Sequence, residues 1–166
     1  MTRWLSEQEQ RTWRGLMRVS TLLDAGLNRE LQRSSGLSRS DYQVLVQLSE
    51  TPDGRARAFE VGEELQWEQS RVSHHLARMQ RRGLVAREDC PTDRRGAYVV
   101  LTAAGRAAIE KAAPAHVESV RRMVFDGLTP EQVANLGEAI TAVLAQLDAR
   151  VPPRHGRATA APASRG

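Results

Sequence analysis

Cys90 and the adjacent histidines His74 and His75 are the residues of this chain best suited to redox or metal chemistry. Neighbouring side chains of a helix point about 100° apart, so the two histidines cannot share one ion. A single cysteine closes neither a disulfide nor a Cys/His zinc site. The sequence therefore predicts no metal and no cofactor. Cys90 follows Arg87 by three residues in a polar segment, which leaves a redox-responsive role of this thiol open.

The composition excludes several classes of protein. The chain has 166 residues, of which 40% are hydrophobic and 27% charged, as is typical of one globular domain. The sequence has no Gly-rich phosphate loop and no nucleophile elbow, so no enzymatic activity is expected. The uncharged stretch Gly96–Gly105 has about half the length of a membrane span, and the charged first fifteen residues are unlike a secretory signal. We expect a cytoplasmic protein without membrane contact.

Positive charge is concentrated in two segments. The net charge is +4, but residues 71–106 hold eight arginines against three acidic residues, and residues 150–166 hold four arginines and no acid. Such an excess within one folded segment is the electrostatic footprint of a polyanionic partner. A solvated basic surface without a partner is the alternative explanation.

Hydrophobic periodicity and capping residues predict a mostly helical chain. Helices are expected over 6–31, from Ser38 or Ser40 to Glu50, over 59–65, over 70–82, from Thr102 towards Phe125, and from Pro130 to about Arg150. Two strands, 84–87 and 97–101, flank a polar turn and predict a β-hairpin. This order predicts a mainly α fold, in which a winged helix-turn-helix with a small β-hairpin wing lies between N- and C-terminal helices.

The fourth predicted helix has one apolar face and one polar face. Val72, Leu76 and Met79 share the apolar side, which should be buried. The opposite side and its shoulders carry small, hydrogen-bonding and cationic residues, namely Ser70, Arg71, Ser73, His74, Arg78 and Arg81. Small residues let a helix backbone approach a DNA major groove, and Arg and His reach base edges or phosphates. These residues are the predicted DNA-binding set of the helix.

The predicted hairpin carries Arg94 and Arg95 at its tip, with Asp93 beside them. A carboxylate near an arginine can hold the guanidinium in a fixed direction. An arginine on a narrow projection suits the minor groove, where the negative potential is enhanced. Asp93, Arg94 and Arg95 therefore complete the predicted DNA-binding residues, as a wing beside the groove helix.

Two segments carry a family pattern: "SRVSHHLARMQRRGLVARE" at 70–88 and "PTDRRGAYVVLTAAG" at 91–105. The first ends in a Gly-Leu-Val step, and the second contains Asp-x-Arg, here Asp93 and Arg95, followed by Leu-Thr-x-x-Gly. With these motifs, residues 5–148 resemble the multiple-antibiotic-resistance regulator (MarR) family of bacterial transcription factors. Two positions depart from the pattern. Gln66 stands where a residue tolerant of the left-handed conformation is common, and Gly62 lies inside the short third helix.

The resemblance implies a homodimer whose first helix and last two helices interlock. It also implies a sequence-specific regulator of double-stranded DNA, usually a repressor, whose affinity changes when a small aromatic or phenolic ligand binds between the dimer frame and the winged domain. The apolar faces of the terminal helices favour a dimer independently, because a winged domain of about 65 residues cannot cover them. Two recognition helices about one DNA turn apart would read a pseudo-palindromic operator.

The expected domain organisation follows from these assignments. It comprises a dimerisation helix at 1–37, a winged helix-turn-helix at 38–102, C-terminal dimerisation helices at 103–149 and a disordered tail at 150–166. A winged helix that binds another protein rather than DNA is a further alternative. It would not need arginines at the wing tip.

Overall fold

The computed structural model describes residues 1–89 and 97–150, which form two compact units, one up to Asp126 and one from Gly127 onward. The elements of the first unit are α1 (Glu7–Ser35), α2 (Arg39–Glu50), β1 (Arg55–Arg57), α3 (Ala58–Glu64), α4 (Gln69–Arg81), β2 (Val85–Asp89), β3 (Ala97–Leu101) and α5 (Ala103–Val120), which continues as a π-helical segment (Arg121–Phe125). The second unit contains α6 (Pro130–Arg150). The expected disordered tail lies outside the described residues, apart from Arg150.

The first two helices begin with capping boxes. Ser6 and Glu9 exchange side-chain and backbone hydrogen bonds at the start of α1, as the sequence predicts. Ser38 and Asp41 do the same for α2, so Ser38 rather than Ser40 is its N-cap. Gly36, in the left-handed conformation at φ 70°, ends α1. The chain thus turns between the two helices within three residues, and Asp41 is fixed at the third position of α2.

The sheet has three antiparallel strands in the order β1-β3-β2, one more than the predicted hairpin. The sequence does not predict β1, which pairs Ala56 with Val99 of β3. Three residues between a turn and a helix are too few to show a period of two, so the strand leaves no pattern in the sequence. The hairpin strands are confirmed, with Ala86 opposite Val100, while the Cys90–Gly96 turn lies outside the described residues.

One hydrophobic core joins the helices to the sheet. Val72, Leu76 and Met79 of α4 are at most 1% exposed, which confirms the predicted buried face of this helix. They pack in one cluster with residues from α1, α2, α3, the sheet and α5, including Leu31, Val44, Leu45, Leu48, Val61, Val99 and Ile109. The polar face of α4 is consequently directed away from the core.

The start of α5 lies against the end of α4 and β2. Thr102 caps α5 by accepting a hydrogen bond from the Gly105 N–H, and its hydroxyl donates to the Gly83 carbonyl oxygen. A Cβ atom at Gly105 would overlap the Leu84 carbonyl oxygen and approach Leu101 Cδ1 to 2.8 Å. The glycine therefore permits the close approach of α5 to the strand that follows α4.

Several large apolar side chains of each unit are exposed. On α1 they include Trp13, Leu16, Met17 and Leu22. On α6 they are Leu136, Ile140, Val143, Leu144 and Leu147. Exposed apolar faces of this extent mark an interaction surface. Within residues 1–89 and 97–150, none of the helices is both long and apolar enough to span a membrane.

We expect Gly105→Ala to lower the free energy of unfolding by more than about 3 kcal/mol, because the added methyl group meets backbone atoms that cannot move aside cheaply. Gly15→Ala is the matched control. Nothing lies within 4 Å of that position in α1, and the better helix propensity of alanine should stabilise by up to about 1 kcal/mol. Urea denaturation followed by circular dichroism measures both. Equal stability of the two variants would contradict this account of Gly105.

Candidate nucleic-acid interface

The turn between α3 and α4 sets the direction of α4. Gln66 adopts the left-handed conformation at φ 54°, so the position that departs from the family pattern in residue type keeps the expected geometry. Its side-chain amide donates to the Glu63 carbonyl oxygen at 2.7 Å. The Trp67 N–H donates to the Gly62 carbonyl oxygen at 2.8 Å. A Cβ on Gly62 would lie 3.0 Å from Val72 Cγ2, so this glycine allows α3 to pack closely on α4.

The predicted DNA-binding residues of α4 lie on its outer face. Ser70, Arg71, His74, Arg78 and Arg81 are exposed, and Ser73 is half-buried. A concave surface of about 360 Å³ lies beside them, lined by Ser40, Arg71, His74, His75, Ala77, Arg78 and Arg81. Three arginines thus border one depression, and Ser40 belongs to α2. The shape and charge suit the sugar-phosphate backbone of a nucleic acid.

Arg71 is held against an aromatic ring. Its guanidinium carbon lies 4.2 Å from the centre of the Trp67 ring, which is within cation–π distance. Trp67 is half-buried and comes directly after the left-handed Gln66. The turn therefore presents the ring on which Arg71 lies, and this restricts the directions in which the arginine extends. No pattern in the sequence predicts this contact between Arg71 and Trp67.

A buried polar cluster connects α4 to α2. Asp41 and His75 are each only 4% exposed. His75 Nε2 lies 3.1 Å from Asp41 Oδ1, a close electrostatic contact whose direction departs from ideal hydrogen-bond geometry. Arg82 donates from Nη1 to Asp41 Oδ2 at 2.6 Å and from Nη2 to the Gly36 carbonyl oxygen at 2.9 Å. Arg82 thus links the ends of α1 and α4 to the start of α2. Its position in the sequence, next to Arg81, is typical of a solvated surface arginine.

The Asp41 carboxylate stays ionised because its partners outweigh its burial. Burial alone raises the pKa of Asp41, but the close contact with His75 and the hydrogen bonds from the Ser38 backbone N–H and Arg82 hold the pKa far below its ordinary value. The Ser38–Asp41 capping box was a readable sequence signal for the position of this carboxylate. Its second role, as the partner of His75 in α4 and of Arg82 just after α4, was not readable, because those residues are more than thirty positions away.

His75 in turn contacts Arg78. The Arg78 Nη2 atom lies 2.8 Å from His75 Nδ1. The edge of the imidazole also meets Trp67, with the ring centres 5.2 Å apart and nearly perpendicular. His75 is only 4% exposed. The residue contacts both the buried carboxylate and an arginine of the outer face.

The sheet adds two arginines that sequence analysis did not select. The guanidinium carbons of Arg55 and Arg57 on β1 lie 5.0 and 5.2 Å from the centre of the Tyr98 ring on β3. The predicted wing-tip residues Asp93, Arg94 and Arg95, and the thiol of Cys90, lie outside the described residues. In the part of the chain that the structure describes, no group of three or more His, Cys, Asp or Glu side chains is arranged to hold a metal ion.

Known proteins share this architecture. A family model described as "MarR family" matches residues 35–96. Sco3205 from Streptomyces coelicolor, a MarR family transcriptional regulator whose crystal structure was solved in complex with DNA, is 41% identical, and the superposition has a TM-score of 0.84 over 92% of this chain and 94% of that one. The chain belongs to the MarR family. The predicted fold, mainly α with a winged helix-turn-helix, is thereby confirmed.

Two further relatives differ in the extent of the match. AbsC, also a MarR family transcriptional regulator from Streptomyces coelicolor, is 40% identical with a TM-score of 0.81 over 89% of this chain and 99% of that one. The uncharacterized HTH-type transcriptional regulator YkoM from Bacillus subtilis (strain 168) is 27% identical over 100 residues. The alignment with YkoM spans 60% of this chain and 63% of that protein, less than two thirds of its length.

In this MarR-family chain, we expect Arg71→Ala to reduce the discrimination between a preferred and a random DNA duplex by about 1–3 kcal/mol, the value of a good base contact. Trp67→Leu should produce part of the same loss, because it removes the ring that orients Arg71. Competition binding with both duplexes measures the effect. Arg11→Ala removes the same charge from the far end of α1 and should leave the discrimination unchanged. Equal losses on both duplexes for Arg71→Ala would instead identify Arg71 as a phosphate contact.

We expect Asp41→Asn to lower the free energy of unfolding at neutral pH by about 3–5 kcal/mol, since it breaks a buried ion pair. The pKa of Asp41 is lowered on folding, so its contribution is present above its unfolded pKa of about 3.9 and is lost as the pH falls. The difference between wild type and variant should therefore shrink below about pH 4. Urea denaturation at a series of pH values measures it, with the exposed Asp53→Asn as control. A difference that stays constant down to the lowest pH would refute the assignment.

Proposed function

We propose that this protein is a transcriptional regulator that binds double-stranded DNA sequence-specifically, as a homodimer on a pseudo-palindromic operator, and that it acts as a repressor. One observation carries the proposal. The outer face of α4 presents three arginines around a concave surface, in a fold that superimposes on a relative solved in complex with DNA. A solvated basic face would not require Arg71 to lie on the Trp67 ring or Arg78 to contact the buried His75.

The chemistry of α4 fits a major groove. Ser70 and Ser73 are small, so the start of the helix can approach base edges closely. Arg71 extends from the first turn of the helix, where groove contacts are made, and we assign base reading to it together with Ser73 and His74. Arg78 and Arg81 lie about two to three turns further on and are assigned to the phosphate backbone.

The wing keeps its sequence-based assignment. We propose that Arg95, oriented by Asp93, enters a minor groove beside the α4 site and that Arg94 contacts flanking phosphates. The resemblance to the family pattern at 91–105 supports this assignment. Arg55 and Arg57 on β1 add positive charge to the same sheet. Redox sensing by Cys90 and a winged helix that binds protein remain alternatives, and no contact among the described residues favours either.

The homodimer is proposed from exposed apolar surface. Trp13 and Leu16 of α1 are 53% and 52% exposed, and Val143 and Leu144 of α6 are 51% and 52% exposed. Burial of apolar surface contributes roughly 25 cal/mol for each Å² removed from water, so a second copy that covers these faces is stabilising. The division into terminal dimerisation helices at 1–37 and 103–149, around a winged domain at 38–102, belongs to the same proposal, as does a location in the cytoplasm.

A small aromatic or phenolic ligand is proposed as a modulator of DNA affinity. Tyr42 of α2 and His116 of α5 have their ring centres 4.4 Å apart and are both half-buried, which provides an aromatic wall. Burial, and after it the charge of Arg39, lowers the pKa of His116, so the ring is uncharged at neutral pH. A neutral aromatic pair of this kind stacks with flat aromatic molecules.

Selection from a pool of randomised DNA duplexes tests the proposed function. The wild-type protein should enrich a sequence with two inverted half-sites whose centres are about one helical turn apart. Sedimentation should give twice the chain mass of 18.4 kDa, and the enriched duplex placed across a promoter should lose transcription in vitro when the protein is added. Failure to enrich any sequence would refute sequence-specific binding. A monomeric mass at micromolar concentration would refute the dimer, and increased transcription would refute repression.

A further inference from the structure

A continuous chain of contacts runs from the interior of the protein to the outer face of α4. It begins at the buried Asp41 carboxylate, passes through His75 by the 3.1 Å contact at Nε2, and leaves through Nδ1, which lies 2.8 Å from Arg78 Nη2. Asp41 and His75 are buried, whereas Arg78 is exposed and borders the concave basic surface. The imidazole is thus the link between a fixed internal charge and a cation that faces solvent.

The donors and acceptors along this chain permit one arrangement of protons. A guanidinium has only N–H donors, so Arg78 donates and His75 Nδ1 must accept with its lone pair. The ring proton is then on Nε2, which lies 3.1 Å from Asp41 Oδ1. A carboxylate next to one nitrogen of an imidazole fixes the tautomer and leaves the other nitrogen as an acceptor. The buried Asp41 therefore prepares the Nδ1 lone pair that receives Arg78.

The groups around His75 are compatible with this arrangement. Asp41 is the anionic neighbour from α2, and its other oxygen accepts from Arg82, which balances its charge. Trp67 covers the imidazole from the α3–α4 turn. On α4 itself, Arg78 lies at Nδ1. With this cation at one nitrogen and a carboxylate at the other, the imidazole cannot rotate by 180° without breaking both interactions.

We propose that His75 is a positioning residue for DNA binding, which holds the Arg78 guanidinium through Nδ1 in the direction needed to reach a phosphate. The proposal rests on the proposed function and assigns a role in it to a residue that is only 4% exposed. A free arginine side chain loses rotamer entropy when it binds. Holding it in place before binding reduces that loss, as for any pre-organised contact.

Two amide variants separate the two nitrogens of His75. The side-chain oxygen of asparagine can occupy the place of Nδ1, so His75→Asn keeps an acceptor for Arg78 and removes the partner of Asp41. The side-chain nitrogen of glutamine reaches the place of Nε2, so His75→Gln keeps a donor for Asp41 and removes the acceptor. Both variants replace the ring with an amide. A structural role of His75 through Asp41 alone would predict the opposite order, with the loss in His75→Asn and not in His75→Gln.

The readout is the salt dependence of binding to a labelled mixed-sequence duplex of roughly 30 base pairs, long enough for two half-sites. The slope of log Kobs against log salt falls by about 0.9 for each phosphate that the protein no longer neutralises. Arg78→Ala sets the size of the effect. His75→Gln should lower the slope to the same value, His75→Asn should retain the wild-type slope, and the double variant His75→Gln/Arg78→Ala should match Arg78→Ala alone.

Thermal unfolding of each variant checks that the protein is folded at the temperature of the binding experiment. Val44→Ala, a core variant of α2, should lower the melting temperature while leaving the slope unchanged. A wild-type slope for His75→Gln, or an equal loss in both amide variants, would overturn the role of Nδ1. A wild-type slope for Arg78→Ala with binding retained would overturn the inference and leave the proposed function intact. If the wild type bound no duplex even at low salt, the proposed function itself would fail.

Discussion

The buried carboxylate of Asp41 is the constraint on which the arrangement of the outer face of α4 depends. Removing a charge from water costs several kcal/mol unless partners replace the lost hydration. The partners here come from different elements: the Ser38 N–H from the start of α2, His75 from α4, and Arg82 from the C-cap that follows α4. Since Arg82 also binds the Gly36 carbonyl oxygen, α1, α2 and α4 meet at one ionised group. Any shift of α4 along α2 would leave that group without its partners.

Close backbone packing fixes the other end of α4. Gly62 allows α3 to approach Val72, and Gln66 reverses the chain in a left-handed conformation that costs a non-glycine residue roughly 1–2 kcal/mol. The result is that Trp67 lies between His75 and Arg71. The strained turn thus precedes the Trp67 ring, which contacts both the buried His75 and the exposed Arg71.

The sequence predicts the helices well because their signals are local. The Ser6–Glu9 capping box and the spacing of Val72, Leu76 and Met79 are each contained within one element, and the structure confirms both. Strand β1 escapes prediction because three residues carry no period and its pairing with β3 depends on residues more than forty positions away. Separation in sequence likewise makes the buried cluster of Asp41, His75 and Arg82 unpredictable. Asp41 and its partners in and just after α4 are distant in sequence, whereas the outward residues of α4 follow from helix periodicity alone.

The pairing of β1 with β3 couples the sheet to the helices on its far side. The Leu101 N–H donates to the Gly54 carbonyl oxygen, and β1 leads directly into α3, so β3 is joined through one short strand to the helix that precedes α4. These connections leave α4 and the sheet little freedom to change the distance between them. In the proposed complex the duplex must then supply the bending and the change of groove width. Base pairs that no side chain touches would consequently affect affinity through the stiffness of the DNA.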